Sequence, residues 1–153
     1  MNRQIIKIVS ILSLMIIFSC ANRGPSEIHY GQDQCDYCKM TIADRSFGSE
    51  LVTSKGKVFK FDSIECLAAF AQVRAEEKAE PKSMWVTDFK NPGIFIRVDS
   101  ATIILSEQQN SPMGVGLMAY GLSSQGMDFI NGRGGRILRW TEACELVAKE
   151  WKL

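Results

Sequence analysis

Three sulfur-bearing side chains fall within the six residues Cys35-Asp36-Tyr37-Cys38-Lys39-Met40. Thiolates and thioethers are soft donors, and soft donors favour Cu(I). Met40 shifts the balance away from zinc, for which a thioether is a poor ligand. A short loop can also gather a few sulfurs at the low coordination number that a d¹⁰ cuprous ion tolerates. Taken alone, Cys35-x-x-Cys38 has equally the spacing of a thiol–disulfide redox pair or of a plain disulfide in an oxidising compartment. A redox pair normally opens a helix after a strand, whereas here a polar segment precedes it. Cu(I) binding, redox exchange and a disulfide all stand as alternatives at this point. A structural zinc that recruits Cys66 as a third thiolate stands beside them.

Further candidates are scattered. Met113 lies between Pro112 and Gly114, in a loop that can aim a thioether outward, and is carried as a metal ligand beside Cys35, Cys38 and Met40. His29 is the only histidine; its imidazole suits copper, but it falls in the polar segment. Cys66 and Cys144 hold early positions on two expected helices and read first as buried free thiols. There is no Gly-x-Gly-x-x-Gly, no P-loop and no Gly-x-Ser-x-Gly elbow. No two acidic residues can be argued into one cleft, so the chain is not read as an enzyme.

The elements that must hold these residues follow from periodicity. Phe47–Val52 and Lys57–Phe61 read as strands joined at Lys55-Gly56. Asp62 and Glu65 have the spacing of a capping box. Ile64, Leu67, Ala68, Ala71 and Ala75 then mark one buried helix face, and the helix ends before Pro81. Met84–Phe89, Ile94–Val98 and Thr102–Leu105 are further strands, with Asn91-Pro92-Gly93 as a turn. The segment from Asn110 to Gly121 is too rich in glycine to assign, and NGRGG (131–135) reads as a hairpin turn. Gly56–Leu67 aligns without gaps on Gly135–Leu146, an offset of 79 residues. Each copy reads as the end of a hairpin followed by a helix. Asp62 and Thr141 are the expected caps, and the second helix buries Ala143, Leu146, Val147 and Trp151. This internal echo points to two similar ββαβ units, each marginal alone and therefore packed together. In the same frame Met113 falls at 34, beside Cys35.

The first twenty residues carry Arg3 and Lys7, an apolar run from Ile8 to Phe18, then Ser19 and Cys20. That order is a secretory signal peptide, and its apolar run is short against the roughly 20 residues a membrane span needs. A cysteine at the cleavage point makes it a lipoprotein signal, with Cys20 as the lipidated first residue of the mature chain. Residues 1–19 are thus read as signal, 20–33 as a flexible tether and 34–153 as the folded domain. Removing Arg3 and Lys7 from the 18 basic side chains leaves 16 against 17 acidic ones. With no basic block, nucleic acid is excluded as a partner.

DQCDYCKM (33–40), SPMG (111–114) and NGRGGRILRW (131–140), together with Cys20, resemble the NosL family, the copper-binding accessory lipoproteins of nitrous oxide reductase assembly. The resemblance spans nearly all of Asp33–Trp151. It implies an α+β fold of two ββαβ-like units. It also implies a Cu(I) carrier anchored to a membrane on its periplasmic or outer face. Its partner would be nitrous oxide reductase or another copper-accepting protein. Cys38 and Met40 match the family's central Cys-x-Met pair. Many members have glycine between those two residues, where this chain has Lys39.

Overall fold

The computed structural model describes residues 24–74 and 81–153. Residues 1–19, read from the sequence as a signal, lie outside the described residues, as do Cys20 and Ala75. Strands β1 (Ser49–Thr53) and β2 (Val58–Phe61) form the expected hairpin and lead into α1 (Ile64–Arg74). Then come β3 (Pro81–Thr87), β4 (Phe95–Arg97), β5 (Thr102–Leu105) and β6 (Leu117–Tyr120). Helix α2 (Ser123–Arg133), β7 (Arg136–Leu138) and α3 (Trp140–Trp151) complete the chain. Two antiparallel sheets result, one ordered β2-β1-β3-β4 and the other β6-β5-β7. Pro81 is tolerated because it opens its strand beyond a register shift at Val52/Thr53.

The fold is α+β, with two ββαβ-like units, β1-β2-α1-β3 and β5-β6-α2-β7. Their sheets have the same spatial order, the first strand lying between the second and the third. The register of the repeat differs from the one the sequence suggests. Val58 corresponds to Leu117 and Ile64 to Ser123, an offset of 59 residues for both strand and helix. The 79-residue echo instead overlays β2 and α1 on β7 and α3, a strand–helix junction of the same kind but a different place in the unit. Any hairpin strand running into a helix shares turn glycine, apolar pair and polar cap, and that likeness sets the echo.

Helix α2 has no counterpart in the sequence reading. NGRGG is not a hairpin turn: Asn131, Gly132 and Arg133 end α2, and Gly134 caps it at φ 76°. Two interior glycines, each costing about 1 kcal/mol against alanine, hide the helix. Gly126 is there for contact, since a Cβ on it would lie 2.9 Å from Ile104 Cδ1.

Helix α1 is buried all round from Ile64 to Phe70, rather than along one stripe. Its own sheet covers one side and α3 covers another, where the Gln72 side-chain amide donates to the Cys144 carbonyl at 3.1 Å. On α3, Ala143 and Val147 are fully buried, and Leu146 and Trp151 are partly so. Its N-cap is Arg139, whose N–H donates to Glu142 Oε2 at 2.7 Å; Thr141, two residues on, is exposed.

The polar segment ahead of the cysteines is packed from Ser26 onward. Ile28 is 4% exposed. Ser26 donates through N and Oγ to the inward-facing Glu50 carboxylate at 2.7 and 2.9 Å. Lys60 Nζ reaches both Glu27 O and Asp33 Oδ2 at 2.6 Å. Composition hides this docking, because one isoleucine and a few hydrogen bonds carry it. No helix among the described residues is long and apolar enough to cross a membrane.

Candidate metal centre

The sulfur loop is closed before any ligand enters. A bridge between Gln34 and Thr41 joins its ends. Inside it, Cys35 N–H donates to Met40 O at 2.8 Å and Lys39 N–H to Cys35 O at 3.0 Å. Asp36 fixes the loop to the edge of the first sheet by a reciprocal pair. Its N–H donates to Lys60 O, and its Oδ2 accepts from Lys60 N–H, both at 2.8 Å. Tyr37 stacks on Trp151 at the end of α3, with ring centroids 5.8 Å apart.

Against this loop stands the β2–α1 junction. The cap of α1 is Ser63, whose Oγ accepts from Cys66 N–H at 3.2 Å. The expected Asp62/Glu65 capping box does not form, because both carboxylates are used elsewhere. Glu65 accepts from the Ser111 hydroxyl and from Leu117 N–H, stitching the β5–β6 loop to α1. Asp62 turns to the cysteines, with Oδ2 3.6 Å from Cys38 Sγ. Its other oxygen is buried with no hydrogen-bond partner.

The outcome is a cluster of Cys35, Cys38, Asp62 and Cys66 in which one donor atom from each lies within 4.8 Å of the others. Cys35 and Cys66 are fully buried and Asp62 nearly so, while Cys38 is half-buried. All four cysteines among the described residues, Cys144 included, are free thiols. The cluster joins Cys35 and Cys38 as expected and adds Asp62 and Cys66. Met40 is 49% exposed at the rim of the same loop. Met113 is partly buried against the main core. With an offset of 59 it corresponds to position 54, in the β1–β2 turn, so the repeat does not set it opposite Cys35. What brings its loop toward α1 is Ser111, two residues before it. His29 lies outside the cluster, exposed and 3.6 Å from Asp33, and so does Cys144.

Cys66 beside Cys35 and Cys38 is the grouping that the zinc alternative anticipates, while Asp62, two residues ahead of α1, is the residue that sequence reasoning missed, having assigned its carboxylate to a helix cap.

The NosL family profile matches residues 25–147. The chain belongs to the NosL family. Its fold is also that of the copper chaperone NosL from Shewanella denitrificans, whose crystal structure superposes with a TM-score of 0.66 at 24% identity. The match covers 78% of this chain and 96% of that one. No curated protein matches the chain in sequence. In this NosL-family chain Lys39, between Cys38 and Met40, adopts φ 66°. That conformation costs a non-glycine residue roughly 1–2 kcal/mol. Lys39 is held there with its Nζ on Asp36 O at 2.6 Å.

The three thiols are electrostatically unequal. A hydrogen bond from the Cys66 thiol, aided by backbone N–H groups of Asp62, Cys38 and Tyr37, draws Cys35 down to about 6. The same bond to Cys35, with burial and Asp62, pushes Cys66 up. Burial pushes Cys38 up to about 11. The cluster therefore releases one proton early and the others late. In the metal-free protein, thiolate absorbance near 240 nm is expected to rise by one thiolate through about pH 6 and then stay flat to pH 8. A first rise only above pH 8 contradicts the shared-proton arrangement.

Proposed function

We propose that this protein is a Cu(I)-carrying metallochaperone, binding copper through Cys35, Cys38 and Met40, with Met113 as a weaker fourth donor. The observation that carries the reading is the cluster itself. Soft thiolates are held together, buried on one side and open at Cys38 on the other, with an exposed thioether on the same loop. Membership of the NosL family and the likeness to a copper chaperone support the same cargo. Thiolates supply affinity, while a neutral thioether on the rim can leave during handover.

Redox exchange is the weaker alternative. It needs an accessible thiolate. Here the thiol drawn down to about 6 is the buried Cys35, and the accessible Cys38 is pushed up to about 11. The client is an extracytoplasmic copper-accepting protein, with nitrous oxide reductase as the family's implied partner.

Anaerobic titration with Cu(I) against a calibrated chelator tests the cargo. Wild type is expected to bind Cu(I) far more tightly than Zn(II). Met113→Leu keeps most of the apolar volume and is expected to weaken Cu(I) binding several-fold with near-normal melting of the apo protein. Unchanged affinity removes Met113 from the ligand set, and Zn(II) preference overturns the copper reading.

We also propose that a lipid on Cys20 anchors the chain to the periplasmic or outer face of a membrane. The charge, apolar run and Ser19-Cys20 order support this. Cys20→Ala is expected to move the protein out of the membrane fraction; mature protein that stays fully membrane-bound refutes the anchor.

A further inference from the structure

We infer that Cys66 is a third thiolate ligand to the bound Cu(I), so that the cargo sits among three thiolates supplied jointly by the loop and the first turn of α1, and a rim thioether at most completes a fourth position. This rests on the copper reading above and extends it to a residue outside the Cys-x-x-Cys-x-Met motif. Metal–thiolate bonds of about 2.3 Å set the sulfurs of a trigonal site roughly 4 Å apart. The donor atoms of Cys35, Cys38, Cys66 and Asp62 already lie within 4.8 Å of one another. Closing on the ion therefore takes movements of tenths of an ångström, not a rearrangement.

The third sulfur is also the best-anchored of the set. Cys66 is on a helix buried all round, and its N–H is fixed by the Ser63 cap. Cys35 is fixed by the Met40 carbonyl. The two fully buried sulfurs form the floor of the pocket, and Cys38 with Met40 forms its mouth. Asp62 presents a hard oxygen that Cu(I) disfavours. Its place is outside the coordination shell, holding Cys38 through Oδ2. A partner thiolate or thioether must then approach over Cys38 and Met40, and Cys66 is the last ligand to let go.

The competing role for Cys66 is a hydrogen-bond donor to the Cys35 sulfur with no bond to the metal. Counting sulfurs separates the two. The full-length chain, the double variant Met40→Leu/Met113→Leu, Cys66→Ser and the control Cys144→Ser are loaded anaerobically with Cu(I). X-ray absorption gives the number of Cu–S bonds, and chelator competition gives affinity.

The double variant has no thioether in the proposed set and is expected to keep three Cu–S bonds. Cys66→Ser is expected to lose one Cu–S bond relative to wild type and at least tenfold in affinity, while Cys144→Ser matches wild type. Two Cu–S bonds in the double variant, or no Cu(I) bound by it, overturn the inference. So does Cys66→Ser with wild-type count and affinity. If Cys66→Ser does not fold, the count in the double variant decides. A wild-type protein that takes up no Cu(I) fails the copper reading itself, and is thereby distinguished from failure of Cys66 alone.

Discussion

Cys38→Ser is expected to weaken Cu(I) binding by about 100-fold or more while leaving the apo protein folded. Loss of a group that merely supports a ligand costs about 10- to 100-fold in metal affinity, and this change removes a soft thiolate itself. Serine is nearly isosteric, and Cys38 is half-buried on a loop held by bonds that do not involve its sulfur. The Gln34–Thr41 bridge and the Asp36–Lys60 pair remain in place. Chelator competition reads the affinity, and thermal melting of the metal-free variant reads the fold. An affinity within threefold of wild type would exclude Cys38 as a ligand. Because Cys38 stands at the mouth of the cluster, transfer of copper to an acceptor is expected to suffer at least as much as binding.

The largest effect on stability is expected at Phe61→Ala, at about 3–5 kcal/mol. Phe61 is the last residue of β2, fully buried, and its ring lies 5.0 Å from that of Phe70 on α1. Phe59 meets the same ring at 4.7 Å. Removing Phe61 opens a cavity where the first sheet meets the helix. That place is one residue before Asp62 and five before Cys66, so the same variant should also bind Cu(I) more weakly. Urea unfolding of the apo protein reads the first effect. A loss below about 1 kcal/mol would show that the junction collapses around the gap.

Which parts of this molecule can be read from residues alone follows a physical line. The β1–β2 hairpin and β5 are legible because apolar alternation and a turn glycine are local signals. The sulfur loop is legible because its donors are contiguous in sequence. Helix α2 is not, since SSQGMDFINGR has poor intrinsic propensity and is made helical by packing; Gly126 is chosen by its neighbours Ile104 and Thr102. Cys66 reads as off the apolar stripe because a stripe presumes one buried face. Only the arrival of α3, more than sixty residues later, buries the other. The choice between Asp62 and Ser63 as cap is likewise undetermined locally, since both are good caps. The long-range contact between Asp62 and Cys38 decides it.

Among the described residues the duplicated architecture carries a single thiol cluster. At an offset of 59, the positions of Asp62 and Cys66 are occupied in the second unit by Gly121 and Gln125. Neither offers a sulfur, and no Cys-x-x-Cys loop precedes β5 as one precedes β1. The two halves have divided their labour. One carries the three clustered thiols, and the other supplies framework and the Met113 loop, with α3 returning across α1 and Trp151 onto Tyr37. A molecule with a true twofold would hold two ions, and release of the first would leave the second to weigh against delivery. On the Cu(I) reading proposed above, a single cluster loads and empties once, so occupancy is expected to follow free cuprous ion as a simple hyperbola, without cooperativity.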